Sequence, residues 1–120
     1  MKAFIISLSL TLALIIAVIV NAGYVLRTTE QMKSLVRQIE QNVSDDKAFE
    51  DLDDIWERHK IWFALSVGLG EIDRVTEYIT RLGCAIENGN AIDAERNCAL
   101  LQIFFDDVSR HEKISLLNIF

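Results

Sequence analysis

The chain contains no proline and only five glycines in 120 residues. Proline interrupts helices and glycine weakens them, so the residues that most often break a helix are scarce here. Alanine, leucine, isoleucine, glutamate and arginine, which favour helix, are abundant. The composition therefore predicts an all-α fold.

Basic residues are also few after the first 26 positions. That part of the chain has eleven lysines and arginines against eighteen acidic residues, a net charge of −7. A surface of this sign repels phosphate backbones, so we expect no nucleic-acid partner. The same charge argues against docking of the domain's body on anionic lipid.

A long charge-free segment stands at the start of the chain. Residues 3–26 contain no charged side chain, and as a helix they would be about 36 Å long, enough to cross a hydrocarbon core of about 30 Å. The 94 residues that follow are too few to surround a helix that is apolar on every side. The sequence predicts a membrane anchor at residues 1–26, in contact with the lipid bilayer through residues 3–26, and an acidic helical domain at residues 27–120.

The same segment raises the questions of cleavage and orientation. Val20-Asn21-Ala22 resembles a signal-peptidase site, but the apolar run exceeds the usual length of about 7–15 residues, which favours an uncleaved signal anchor. Lys2 flanks one side, while Arg27 and Lys33 flank the other, so the positive-inside count is nearly tied. The very short N-terminal tail favours a single-pass protein of the cell membrane whose C-terminal domain lies outside the cytoplasm.

Apolar residues at helical spacing predict four helices. The first continues past the anchor, and the others cover about residues 45–67, 71–88 and 91–113, forming a three- to four-helix antiparallel bundle. In the last helix, Ile92, Ala99 and Ile103 lie nearly opposite the core face. We therefore expect this helix to be covered on two sides and to sit centrally.

Aromatic residues cluster around a histidine in the second helix. Trp56, His59 and Phe63 share one face, with Trp62 at its edge. These four side chains are core residues, a groove that binds a partner, or a pocket in which His59 binds metal or haem. A metal site needs several ligands, and His111 is the only other histidine. The hypothesis that His59 binds a metal or haem is therefore the weakest of the three.

Acidic residues suggest no catalytic or metal site. Glu71 and Asp73 stand where a helix N-terminus attracts carboxylates, and no nucleophile or phosphate-binding loop accompanies them. The acidic run between residues 45 and 57 falls on a predicted helix, whereas calcium ligands need an irregular loop. We expect neither an enzyme nor a cofactor.

Two cysteines flank the turn between the third and fourth helices. Cys98 lies on the core stripe, whereas Cys84 lies on the polar side of its helix. A disulfide between them is conceivable, but the differing faces favour two free thiols.

The last residues are too apolar for a solvated tail. We expect this segment to fold back onto the bundle or to meet a partner or the membrane surface. Its candidate interaction residues are Leu116, Leu117, Ile119 and Phe120.

Four features follow one another along the chain: the anchor, Trp56 and Trp62, Glu71-Ile72-Asp73, and the Ser-Leu-Leu-Asn-Ile-Phe ending. In this order they resemble a known family, domain of unknown function 4363. Its members are small bacterial proteins, common in Gram-positive and often spore-forming lineages, and the resemblance spans nearly the whole chain. A histidine often precedes the Glu-Ile-Asp in that family, whereas Gly68-Leu69-Gly70 stands here. The resemblance implies an anchored, outward-facing helical domain with no assigned activity.

These observations favour a non-enzymatic, membrane-tethered module that binds a protein partner, either another membrane protein or a second copy of itself. The alternative is an extracytoplasmic bundle that senses a ligand or metal through the His59 pocket.

Overall fold

The computed structural model describes residues 1–43 and 46–119, except for the side chains of residues 65, 66, 115, 116, 118 and 119. It contains four helices: α1 (Lys2–Gln41), α2 (Asp46–Val67), α3 (Leu69–Glu87) and α4 (Ala91–Ile119). No strand occurs in the described part of the chain. The all-α prediction is confirmed, and so is the continuation of the first helix beyond the apolar segment.

Glycine lies in two very short connections, the one between α2 and α3 and the one between α3 and α4. Gly68 is the only residue between α2 and α3, with φ 86°, and Gly89, with φ 67°, lies in the turn before α4. Glycine adopts such left-handed conformations without the steric cost that a Cβ imposes. Asn90 then caps α4, since its Oδ1 accepts a hydrogen bond of 3.1 Å from the backbone N–H of Asp93. Short turns of this kind make successive helices antiparallel neighbours.

The four helices form a ring in which each packs against two others. α1 contacts α2 and α4, and α3 contacts the same two helices from the opposite side. The largest fully buried side chains fill the space between them: Trp56, Phe63, Phe105, Met32, Ile39, Leu52, Ile79, Leu82, Leu101, Val25, Val36 and Val75. Since Ala22 and Val25 are already buried, packing of the bundle against α1 begins inside the charge-free segment.

The first part of α1 projects from this bundle. Residues 1–18 are all exposed, and the molecule measures 67 × 22 × 21 Å. Within the described residues, α1 is the one helix long and apolar enough to cross a membrane.

Helix α4 differs from expectation in two ways. Ile92, Ala99 and Ile103 are exposed, so the helix is covered on one side and not on two. Its backbone also stays helical to Ile119 in place of folding back, because neither glycine nor proline follows Asn90. The end of α4 therefore runs back along α1 towards the projecting apolar segment.

Candidate functional site

Two of the clustered aromatics belong to the core. Trp56 and Phe63 are fully buried, with ring centroids 5.6 Å apart. The indole Nε1 of Trp56 donates a hydrogen bond of 2.9 Å to Oγ1 of Thr76, which ties α2 to α3. Neither ring is accessible in the folded bundle, so these two candidates lie in the core.

The other two residues face α1. His59 is half-buried; its Nδ1 is hydrogen-bonded to the hydroxyl of Tyr24, and the two ring centroids lie 5.3 Å apart. Trp62, one turn further along α2, keeps 49% of its surface exposed. It lines a groove of about 410 Å³ together with Ala17, Val20, Asn21 and Tyr24. The cluster thus divides into an inner core pair and an outer pair beside the apolar segment.

An ion pair sets the register between α1 and α4. Lys33 Nζ lies 2.6 Å from Asp106 Oδ1, and the amide of Gln102 donates a hydrogen bond of 3.3 Å to the carbonyl oxygen of Lys33. The hydrogen bond to Asp106 is the main reason that the pKa of Lys33 lies above its usual value. These contacts place the end of α4 level with the part of α1 that adjoins the projecting apolar segment.

Among the side chains that the structure describes, two buried hydroxyls lack a hydrogen-bond partner. Oγ1 of Thr29 and Oγ of Ser109 are both buried without one. Replacing Thr29 by Val and Ser109 by Ala should therefore raise the free energy of unfolding, by about 1–3 kcal/mol for each unpaired hydroxyl removed. Thermal unfolding followed by circular dichroism in a mild detergent measures the change. Thr80→Val, at an exposed site, should leave it nearly unaltered, and a lower stability of the double variant would contradict the prediction.

Three of the six acidic side chains of α2 form ion pairs along their own helix. Lys47 lies 3.1 Å from Asp51, Arg58 lies 2.7 Å from Asp54, and Lys60 lies 2.8 Å from Glu57. Burial, followed by the nearby carboxylates of Glu57 and Asp54, raises the pKa of Asp53. In the described part of the chain, no three His, Cys, Asp or Glu residues lie close enough to hold a metal ion. The arrangement is that of a solvated helix face.

Glu71 and Asp73 do not converge on one point. They are two residues apart on a helix, so their side chains project in directions that differ by about 200°. Glu71 forms an ion pair with Arg74 at 3.4 Å. Glu71 instead lines a shallow groove between α3 and α4 with His111 and Asp107. Sequence spacing gave no signal for this groove, because its members lie about 40 residues apart in the chain.

Both cysteines are free thiols, one of them deeply buried. Cys84 is exposed, whereas Cys98 is 1% exposed. Burial, with smaller effects from Glu40 and Glu95, raises the pKa of Cys98 from 9.0 to about 12. Because the folded state favours the neutral thiol, the stability it contributes is complete below pH 9 and declines as the pH rises towards 12.

Maleimide labelling should separate the two thiols. At pH 8 we expect rapid modification of the Cys98→Ser variant, through Cys84, and almost none of the Cys84→Ser variant until detergent-solubilised protein is denatured. Mass spectrometry of timed samples measures the difference. Equal labelling of the two folded variants would show that Cys98 is accessible.

Of the terminal candidates, only Leu117 has a described side chain. It is exposed and lies on the outer face of α4. The side chains of Leu116 and Ile119, and all of Phe120, lie outside the described residues.

Comparison with known proteins identifies the family without giving an activity. The family model described as domain of unknown function 4363 matches residues 19–119. No curated protein and no solved structure matches the chain. The chain belongs to the domain of unknown function 4363 family, and the match begins at the point on α1 where packing of the bundle begins.

Proposed function

We propose that this protein is a single-pass protein of the cell membrane whose bundle, outside the cytoplasm, binds another membrane-anchored protein and catalyses no reaction. Residues 3–22 of α1 cross the bilayer, and the rest of α1 forms one wall of the bundle. The observation that carries the proposal is an unpartnered apolar stripe on the outer face of α4.

The stripe repeats at helical spacing along the whole of α4. Its members fall within an arc of about 60° on a helix of 3.6 residues per turn: Ile92, Ala99, Ile103, Ile114 and Leu117. Ile92 and Ile103 expose 72% and 60% of their surfaces. Spacings of this kind are typical of a helix that packs against a second helix on that face.

Charges on the same face do not oppose such packing. Arg96 and Arg110 interrupt the stripe, and each is paired with an acidic residue one turn earlier: Arg96 with Asp93 at 3.7 Å and Arg110 with Asp107 at 3.2 Å. A partner helix therefore meets pairs of opposite charge.

Anchoring explains why one narrow stripe suffices. A single helix face buries less area than a typical stable interface between soluble proteins. Two proteins held in one membrane, however, meet at a raised effective concentration, which strengthens a weak contact without adding any new one. The stripe also extends to the end of α4 beside the apolar segment, so an anchored partner can cover its full length.

Capture from detergent-solubilised membranes tests the proposal. Tagged wild type, Ile103→Glu and Thr80→Glu are compared; the last adds the same charge at an exposed site on α3. We expect the wild type and Thr80→Glu to retain a common partner that Ile103→Glu loses, because a buried carboxylate without a partner is costly. Identical partners in all three samples, or none, would remove the stripe as a binding surface. A second, differently tagged copy shows whether the partner is the protein itself.

A further inference from the structure

Exposed apolar side chains gather at one end of the bundle. Outside α1, seven large apolar side chains among the described residues are exposed, and five of them lie at the end from which the apolar segment projects: Ile61, Trp62, Leu69, Ile114 and Leu117. They come from α2, α3 and α4, so the patch extends across three helices, and only Ile114 and Leu117 also belong to the stripe on α4.

Contacts between the helices fix the level of this end relative to α1. Leu117 comes eleven residues after Asp106, whose partner is Lys33. Because antiparallel helices have the same rise, Leu117 lies level with about residue 22 of α1. Trp62 comes three residues after His59, the partner of Tyr24, and it shares a groove with Ala17 and Val20. The end of the bundle therefore lies beside α1 at about residues 17–22.

The position of α1 in a bilayer follows from its length. Lys2 is the charged residue at one end of the apolar segment, and it must stay at the headgroups. A hydrocarbon core of about 30 Å corresponds to about 20 residues of helix, so the opposite boundary lies near residue 22. That is the level of Leu117 and slightly outside the level of the groove at Trp62.

We infer that this end of the bundle is itself a lipid-binding surface, inserted at the boundary between hydrocarbon and headgroups, with Trp62 as its interfacial anchor. The inference rests on the proposed crossing of the membrane by α1. Tryptophan is enriched at this depth because its ring is apolar and its N–H is polar. Insertion of this end in lipid removes these five apolar side chains from water.

The lipid recognised is defined by its acyl chains and not by its headgroup charge. The domain after residue 26 carries a net charge of −7, which opposes attraction to anionic headgroups. Insertion of apolar side chains requires no such attraction, so neutral phosphatidylcholine is the appropriate probe.

Fluorescence quenching by brominated lipid tests the inference on the full chain. The chain has two tryptophans; Trp56→Phe leaves Trp62 as the emitter, and Trp62→Phe leaves the buried Trp56. Each variant is reconstituted into phosphatidylcholine vesicles brominated near the headgroup or deep in the chains, and flotation confirms insertion. If Trp56→Phe fails to fold, the difference between wild type and Trp62→Phe gives the emission of Trp62.

We expect a large loss of Trp62 emission in shallow-brominated lipid, a smaller loss in deep-brominated lipid, little quenching by aqueous iodide, and little effect on Trp56. Protein that floats with the vesicles while Trp62 is quenched by iodide alone would overturn this inference and leave the anchoring in place. Shielding of Trp62 from both quenchers would also overturn it, in favour of contact between copies. Failure to float would overturn the anchoring and this inference together.

Discussion

Trp56→Ala is expected to lower the free energy of unfolding by about 3–5 kcal/mol, the range found for removal of a large aromatic side chain from a core. Trp56 is fully buried, packs on Phe63 and donates a hydrogen bond to Thr76. Its removal would leave a cavity between α2 and α3 and cost the indole's hydrogen bond. A loss of this size is a large fraction of the total free energy of unfolding of a domain of this length.

The matched control for this prediction is Trp62→Ala. It is the same substitution six residues later in the same helix, but Trp62 is 49% exposed, so the bundle should lose much less stability. Thermal unfolding in a mild detergent compares the two variants. An equal loss for both would show that Trp62 also belongs to the core, and it would contradict the division of the aromatic cluster.

A second large effect is expected from two aspartates in the projecting segment. Leu12→Asp with Ile16→Asp should move the protein from the membrane fraction to the aqueous phase. Residues 3–20 include twelve Leu, Ile, Val and Phe, which together favour insertion by about 4–7 kcal/mol, whereas two central aspartates oppose it by about 5–7 kcal/mol. The balance changes from strongly favourable to close to zero.

Fractionation after alkaline carbonate extraction measures this change. Leu12→Ala with Ile16→Ala is the matched control and should remain in the membrane pellet. Because both positions precede Ile19, where α1 begins to be covered, the bundle should keep its helical circular dichroism in either variant. Full retention of the aspartate variant in the pellet would contradict insertion through this segment.

The helices themselves were predictable because the signals for them are local. Stripes such as Met32, Val36 and Ile39 on α1 mark the buried face, and the absence of proline leaves few places for a helix to end. The end of α4 was missed for an identifiable reason. Beyond Val108 its core face continues through Ser109 and Glu112, two buried polar residues, so the apolar periodicity that predicts a helix stops while the helix does not.

The arrangement around Trp62 could not be predicted in the same way. The groove depends on the register between α1 and α2, which is set by Tyr24 and His59, side chains 35 residues apart. Periodicity assigns a residue to a face but does not show which residue of another helix lies opposite. For the same reason the sequence placed Ile103 on a second apolar face of α4, yet whether any helix of the chain covers that face is decided only by the ring arrangement.

The unbroken course of α1 limits the reach of the protein. No loop separates the apolar segment from the wall of the bundle, since α1 is one helix from Lys2 to Gln41. By the register of Asp106 with Lys33, the start of α4 at Ala91 lies about seven residues of helix beyond the level of Gln41. In the proposed anchoring, the bundle therefore rises about 40 Å above a hydrocarbon boundary near residue 22. In that arrangement, the continuous helix holds the outer face of α4 at a constant height above the bilayer. Under the proposed function, a partner on this face presents its matching surface within that layer, close to the membrane.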